Sequence, residues 1–385
     1  MKLINNICFY LNHTRDVTMY ADLFTKFEDK KICFLFNNLF KEKKDNNLNE
    51  YSRIKKFLKK NYPKYNEIHK LSDIYKKNKY KVLISAGDIP TSKITPKSII
   101  KFIIKKILQK KDVEIYDRNF LEKKISLNSI RFPNNLDRNI KYFPEKEWGR
   151  VFDIFFICLK IEKSLIEKKF TNKKIYNIGF PRLDKKFNLG KIRKKLIKEF
   201  KLDPKKKIIF YLPTLSIQKN ELVLKYIEEL KKLSNHFNVV IRPHPKDQDL
   251  HKEKFNIFKK SNLKLDLKDG RDTADLILTS NLIISDGGSS VVEAVYLGKK
   301  VIIHNWQRSV NTNLLENRFK ESFRLDKIFG GKLLNLDSLS DLKNINNVIL
   351  GKDYKKKIIK LNKKFFFTKS KKMDVVKIIS SIYDN

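Results

Sequence analysis

The sequence predicts an α/β protein with two doubly wound parallel sheets, and three observations carry that reading. Apolar runs of strand length alternate with amphipathic segments almost from end to end. The run 208–212 is apolar throughout, as expected of a buried strand of a parallel sheet. The chain has 385 residues, enough for two domains at roughly 100–200 residues each.

In chain order, residues 7–12 read as a strand, 16–28 as a helix and 31–37 as a second strand. A Lys/Asn-rich stretch at 41–50 precedes further helical pattern and a strand at 80–85; 151–158 and 174–178 are further strands. A domain boundary is expected near 175–187. Beyond it come a Lys-rich helix at 190–201 and the buried strand 208–212, which Pro213 stops because it cannot extend a ladder. A helix at 219–234 leads to the strand 239–241. The runs 276–278 and 282–284 follow as strands, then a Gly-rich turn, a helix at 289–297 and a strand at 301–303. The resulting division is 1–175, 176–350 and a helical segment 351–385 that could pack back on the first domain. Residues 36–75 and 112–150 carry little pattern.

Composition excludes several classes. Hydrophobic residues make up 41% and charged residues 33%, too apolar for a disordered chain, and 11 Gly and 10 Pro are too few for a low-complexity one. No run approaches the roughly 20 apolar residues needed to span a bilayer. The N-terminus meets polar residues too early for a secretory core, so a cytoplasmic protein is expected. Cys8, Cys33 and Cys158 are odd in number and widely spaced within apolar runs, and they read as buried thiols.

The net charge is +42, yet only 13 of the 85 basic residues are Arg, and the excess is spread over both halves. A nucleic-acid binder would concentrate the charge and favour Arg for bidentate phosphate contacts. No nucleic acid is expected as a partner. The field would instead draw anionic substrates and acidic membranes.

Doubly wound sheets bind ligands beyond the carboxyl ends of their strands. In the second half those positions hold Pro213-Thr214, Arg242-Pro243-His244-Pro245, Ser285 to Ser290, and His304-Asn305. The strongest element runs from Ser285-Asp286 through Gly287-Gly288-Ser289-Ser290 to Glu293. Two glycines let the backbone approach an anion, and two serines open a helix whose free N–H groups favour phosphate. Glu293, one turn in, is placed to accept hydrogen bonds from a ribose. Two prolines stiffen the turn that fixes Arg242 and His244, an Arg suited to phosphate and a His able to bind a diphosphate or protonate a leaving group.

These motifs, with Gly179-Phe180-Pro181-Arg182-Leu183-Asp184 and Tyr211-Leu212-Pro213-Thr214, occur in the order of the CDP-glycerol glycerophosphotransferase family of teichoic-acid and capsule synthesis. The sequence resembles that family over about 175–310. The resemblance implies the GT-B architecture, two Rossmann-like domains facing a cleft, and a nucleotide-activated donor used as substrate with no separate cofactor. It implies a glycan or lipid-linked acceptor. Donor-side residues would be Arg182, Thr214, Arg242, Asp286, Gly287, Gly288, Ser289, Ser290 and Glu293, with His244 catalytic. No metal is expected, because a helix start can neutralise the phosphates. Family members usually carry a His-Gly pair in the acceptor half, and residues 1–178 have none. The base is then sought at His13, after the first strand, or Asp88, after strand 80–85.

Asp286-Gly287-Gly288, Glu293-Ala294 and Leu297-Gly298 also look like the UDP-N-acetylglucosamine 2-epimerases, which share the fold, and Thr14-Arg15-Asp16 echoes their N-terminal motif. That chemistry is the alternative. Residues 98–111 place Ile99, Ile100, Ile103, Ile104, Ile107 and Leu108 on one helical face, with four lysines away from it. Such a helix suits either the core or the headgroup region of an anionic membrane, making the protein peripheral on the inner face.

Overall fold

The computed structural model describes residues 2–12, 14–27, 32–38, 46–65, 67–74, 77–87, 89–93, 99–100, 103–104, 117–133, 147–214, 220–245, 247–268, 270–304, 329, 332–367 and 372–385. Two parallel sheets organise them. The first contains β1 (Lys2–Leu11), β2 (Ile32–Phe36), β3 (Ile68–Lys70), β4 (Asn78–Ser85), β7 (Ser126–Arg131), β8 (Ile154–Ile157) and β9 (Lys174–Asn177), in the order β3-β2-β1-β4-β7-β8-β9. Between β4 and β7 in the chain, β5 (Pro90–Lys93) and β6 (Asp117–Phe120) form a separate antiparallel pair. The second sheet contains β10 (Ile208–Tyr211), β11 (Asn238–Ile241), β12 (Lys264–Leu265), β13 (Leu282–Ser285), β14 (Val301–His304) and β15 (Leu334–Leu336), ordered β12-β11-β10-β13-β14-β15.

Burial explains the unbroken apolar runs. In β1, Ile7, Phe9 and Leu11 face a core with α1 (Thr14–Phe24) and α2 (Asn46–Asn61), while Cys8 and Tyr10 face the opposite core with Cys33, Leu35 and Leu83. All three cysteines are buried free thiols. The second sheet repeats the plan. Ile208 and Phe210 pack towards α5 (Leu189–Glu199), α8 (Thr273–Thr279) and α9 (Ser289–Tyr296); Ile209 and Tyr211 pack towards α6 (Asn220–Ser234) and α7 (Lys252–Lys260). Of the other helices, α3 (Lys160–Lys169) follows β8 and α4 (Pro181–Asp184) joins the two sheets.

The last three helices divide between the sheets. Ile345 and Val348 of α10 (Leu342–Leu350) and Ile358 and Leu361 of α11 (Lys352–Phe365) lie in the cores of the second sheet. Val375 and Ile379 of α12 (Val375–Asp384) lie in the first-sheet core beside Ile7 and Phe9. The chain therefore crosses between the sheets twice, near 177–184 and between α11 and α12. The crossings touch: Met373 N donates to the Asn177 carbonyl at 2.7 Å, and Lys372 Nζ lies 2.6 Å from Asp184 Oδ1.

One predicted strand is a helix. Residues 276–278 lie inside α8, with Leu276 and Ile277 fully buried. Three apolar residues fit a buried strand or a buried helix equally well. Asp272 decides the matter, because its carboxylate accepts from Ala274 N at 3.0 Å and caps the helix start. Of 98–111, residues 99, 100, 103 and 104 are described. They are helical, and Ile99, Ile100, Ile103 and Ile104 are 43–57% exposed.

Candidate active site

In the second sheet β10 is flanked by β11 on one side and β13 on the other, so the strand order reverses direction there. Such switch points open a crevice at the carboxyl ends of the strands. Three turns meet at this one. Thr214 N, after β10, donates to Asp286 Oδ1, after β13, at 2.7 Å. Gly288 packs so closely that a Cβ there would stand 2.7 Å from Thr214 Cγ2, and its φ of +77° is one that L side chains rarely adopt. The Ser285 hydroxyl lies 2.7 Å from the carbonyls of Leu212 and Gly287 and 3.0 Å from Ser290 Oγ, fastening the turn.

The helix that follows has Gly288 at its N-cap and no side-chain cap. Its first-turn N–H groups, flanked by half-buried Ser289 and Ser290, form an anion-favouring end beside Thr214. Asp286 is fully buried and shapes the turn through Thr214.

Arg242 and His244, on the turn after β11, are both partly buried and have different surroundings. The Arg242 guanidinium lies 2.6 Å from Asp266 Oδ2 and donates to the carbonyls of Lys268 and Arg271, so it braces the loop between β12 and α8. His244 is positioned through its backbone, its N–H reaching Asp247 Oδ2 at 3.1 Å.

Arg182 and Glu293 form a buried cluster. Arg182 pairs with Glu293 at 2.7 Å and with Asp272, and its side chain is 11% exposed. Burial disfavours the guanidinium charge, but Glu293 and Asp272 together hold its pKa above the ordinary value. Burial likewise works against the Asp272 carboxylate, and Arg182, the Ala274 N–H and Lys185 keep it below the usual carboxylate range. Lys185 continues the cluster to the first domain, 3.3 Å from Asp272 and 3.4 Å from Asp22 of α1.

His304 ends β14 but turns into the core, 1% exposed, with Nδ1 3.2 Å from Tyr211 Oη. Burial, helped by Lys225, pushes it down to about 3, so it is neutral at physiological pH. The base candidates His13 and Asp88 lie outside the described residues.

Sequence reasoning missed Asp247, Lys254, Asp266 and Asp272, the partners behind the named residues. The expectation of no metal also rests on the sequence showing no Asp-x-Asp metal-binding motif, yet Asp247-Gln248-Asp249 is an Asp-x-Asp triplet. Asp247 is fully buried against Lys254 at 3.2 Å. Nothing in the sequence marks Lys254 among its many lysines.

Two doubly wound parallel domains with a switch-point site in the second define a GT-B protein. Residues 147–314 match the model of the CDP-Glycerol:Poly(glycerophosphate) glycerophosphotransferase family, a stretch that includes the switch-point turns. The structure is similar to that of the wall teichoic acid polymerase TagF, at 13% identity and a TM-score of 0.60, covering 99% of this chain and 88% of that one. It also resembles a Listeria monocytogenes structure described as a UDP-N-acetylglucosamine 2-epimerase, at 14% identity and a TM-score of 0.53, covering 93% and 90%. No curated protein matches the sequence.

Proposed function

We propose that this chain is a metal-independent transferase that moves a polyol phosphate, or a sugar, from a nucleotide-activated donor to a glycan or lipid-linked acceptor of the cell surface. The supporting observation is the meeting of Thr214, Asp286 and Gly288 at the uncapped start of α9, within the segment that matches the glycerophosphotransferase family. In this reading Ser289, Ser290 and the helix start hold the diphosphate by preorganised dipoles. His244 binds the diphosphate or protonates the departing nucleotide. Arg242 braces the turn and reaches a phosphate only by exchanging Asp266. Arg182 and Glu293 act as one buried unit beneath the ribose side. His13 or Asp88 takes the acceptor hydroxyl's proton.

The test is titration of wild type and His244→Ala with CDP, UDP and CMP at near-physiological salt. One nucleotide binds selectively, and the substitution weakens it about ten- to hundredfold, as expected for a charge-assisted hydrogen bond. A cytidine preference supports the transferase, and a uridine preference supports the epimerase alternative. Equal, salt-sensitive binding of all three, unchanged by the substitution, would refute both.

Membrane contact belongs to the same proposal. Four exposed isoleucines on one helical face, in a chain of net charge +42, suit an anionic bilayer. No helix among the described residues is long and apolar enough to cross a membrane. Vesicles of anionic phospholipid should co-sediment with the wild type and lose most of an Ile99→Glu/Ile103→Glu variant. Equal retention of both would remove the segment from the docking surface.

A further inference from the structure

We propose that Lys254 and Asp247 form a positioning pair that ties the turn after β10 to the turn after β11 and so sets the shape of the donor site. This rests on the nucleotide-donor reading above and adds how that site is held. Lys254, on α7, is 3% exposed, and Asp247 is fully buried. Lys254 Nζ lies 3.2 Å from Asp247 Oδ2 and donates to the Thr214 carbonyl at 3.1 Å. Asp247 in turn accepts from the His244 N–H at 3.1 Å and returns its own N–H to the His244 carbonyl at 2.8 Å. With Thr214 N on Asp286, the connection runs unbroken from the β13 turn through Thr214, Lys254 and Asp247 to His244.

A buried ion pair is a poor source of stability, because desolvation offsets the attraction and apolar residues of similar size do as well. Its effect here is geometric. Lys254 cross-links the two turns through its contacts with the Thr214 carbonyl and Asp247. Neither side chain is assigned to the chemistry itself.

The pair makes the site sensitive to acid. The groups facing Asp247 are Lys254 from α7, Asp286 from the β13 turn, Tyr226 from α6 and the His244 backbone of its own turn. Burial raises the carboxyl first and Asp286 adds to that, against Lys254 and the hydrogen bonds, leaving it at about 6. Protonation at lower pH releases Lys254. A raised carboxyl pKa means that the folded chain takes up this proton more readily than the unfolded one. The group's own contribution to stability therefore rises as pH falls through 6, while the donor site loosens.

The experiment measures CDP and UDP binding and thermal unfolding between pH 5 and 8. Its variants are Lys254→Arg, Lys254→Met, and Lys254→Met paired with Asp247→Leu. Wild-type affinity is expected to fall about tenfold from pH 7 to pH 5, with no matching loss of thermal stability from this group. The double variant should stay folded, bind about ten- to hundredfold more weakly at pH 7, and lose the pH step. Lys254→Arg should retain much of the affinity. If wild type binds one of the nucleotides and the folded double variant binds it equally well with the same pH profile, the positioning role is overturned and the donor reading stands. If wild type binds neither nucleotide, the donor reading falls and takes this inference with it.

Discussion

Arg182→Ala should lower the stability of the fold by about 3–5 kcal/mol, the usual result of removing one member of a buried charge cluster. The cost comes from what remains. Asp272 and Glu293 have side chains 9% and 8% exposed, and both pair with this one guanidinium. Lys185 still reaches Asp272, but from a more exposed position. Denaturant unfolding measures the loss, and Arg182→Met combined with Asp272→Asn and Glu293→Gln should recover part of it by removing the stranded charges. A single variant as stable as wild type would show that the cluster does not hold this joint. The pH dependence has a defined sign. Asp272 is held below its ordinary value, so its contribution is complete above that value and is lost as pH falls through the folded pKa. In Arg182→Ala the folded value moves up towards the ordinary one, so this acid-dependent loss should shrink.

Gly288→Ala should abolish measurable nucleotide binding and reduce stability by about 1–3 kcal/mol. Two independent obstacles act together. The backbone at Gly288 has φ +77° and ψ −173°, a region essentially reserved for glycine. A new methyl would also stand 2.7 Å from Thr214 Cγ2. Adding Thr214→Ser removes that methyl partner and relieves the contact but not the backbone strain. The double variant should therefore recover part of the stability, measured by thermal unfolding, and little of the binding, measured by calorimetry. Full binding in the single variant would mean that the turn does not need its observed shape.

Much of the switch-point site was legible because its strands are short apolar runs that stop at Pro213, Pro243 and Gly287, residues with local structural consequences. The reading failed where local pattern is silent. Residues 276–278 were too short to separate helix from strand. β15 and the β5–β6 pair fell in stretches with no clear period, and β3 is only three residues long. Arg242 was read as facing a phosphate because a free guanidinium suits one. Its partner Asp266 lies 24 residues away, and no spacing rule joins them. Lys254 and Thr214 are 40 residues apart, and only folding brings them together.

The double crossing between the sheets limits how the molecule can move. A single linker would leave one domain free to swing and twist about the other. Here the two crossings are tied where Met373 N donates to the Asn177 carbonyl and Lys372 pairs with Asp184. Two adjacent attachments act like the two leaves of a door hinge: twisting is resisted, and bending about one axis is the freedom left. The Lys185–Asp22 pair at 3.4 Å adds a further tie between the two halves, away from those attachments in the sequence.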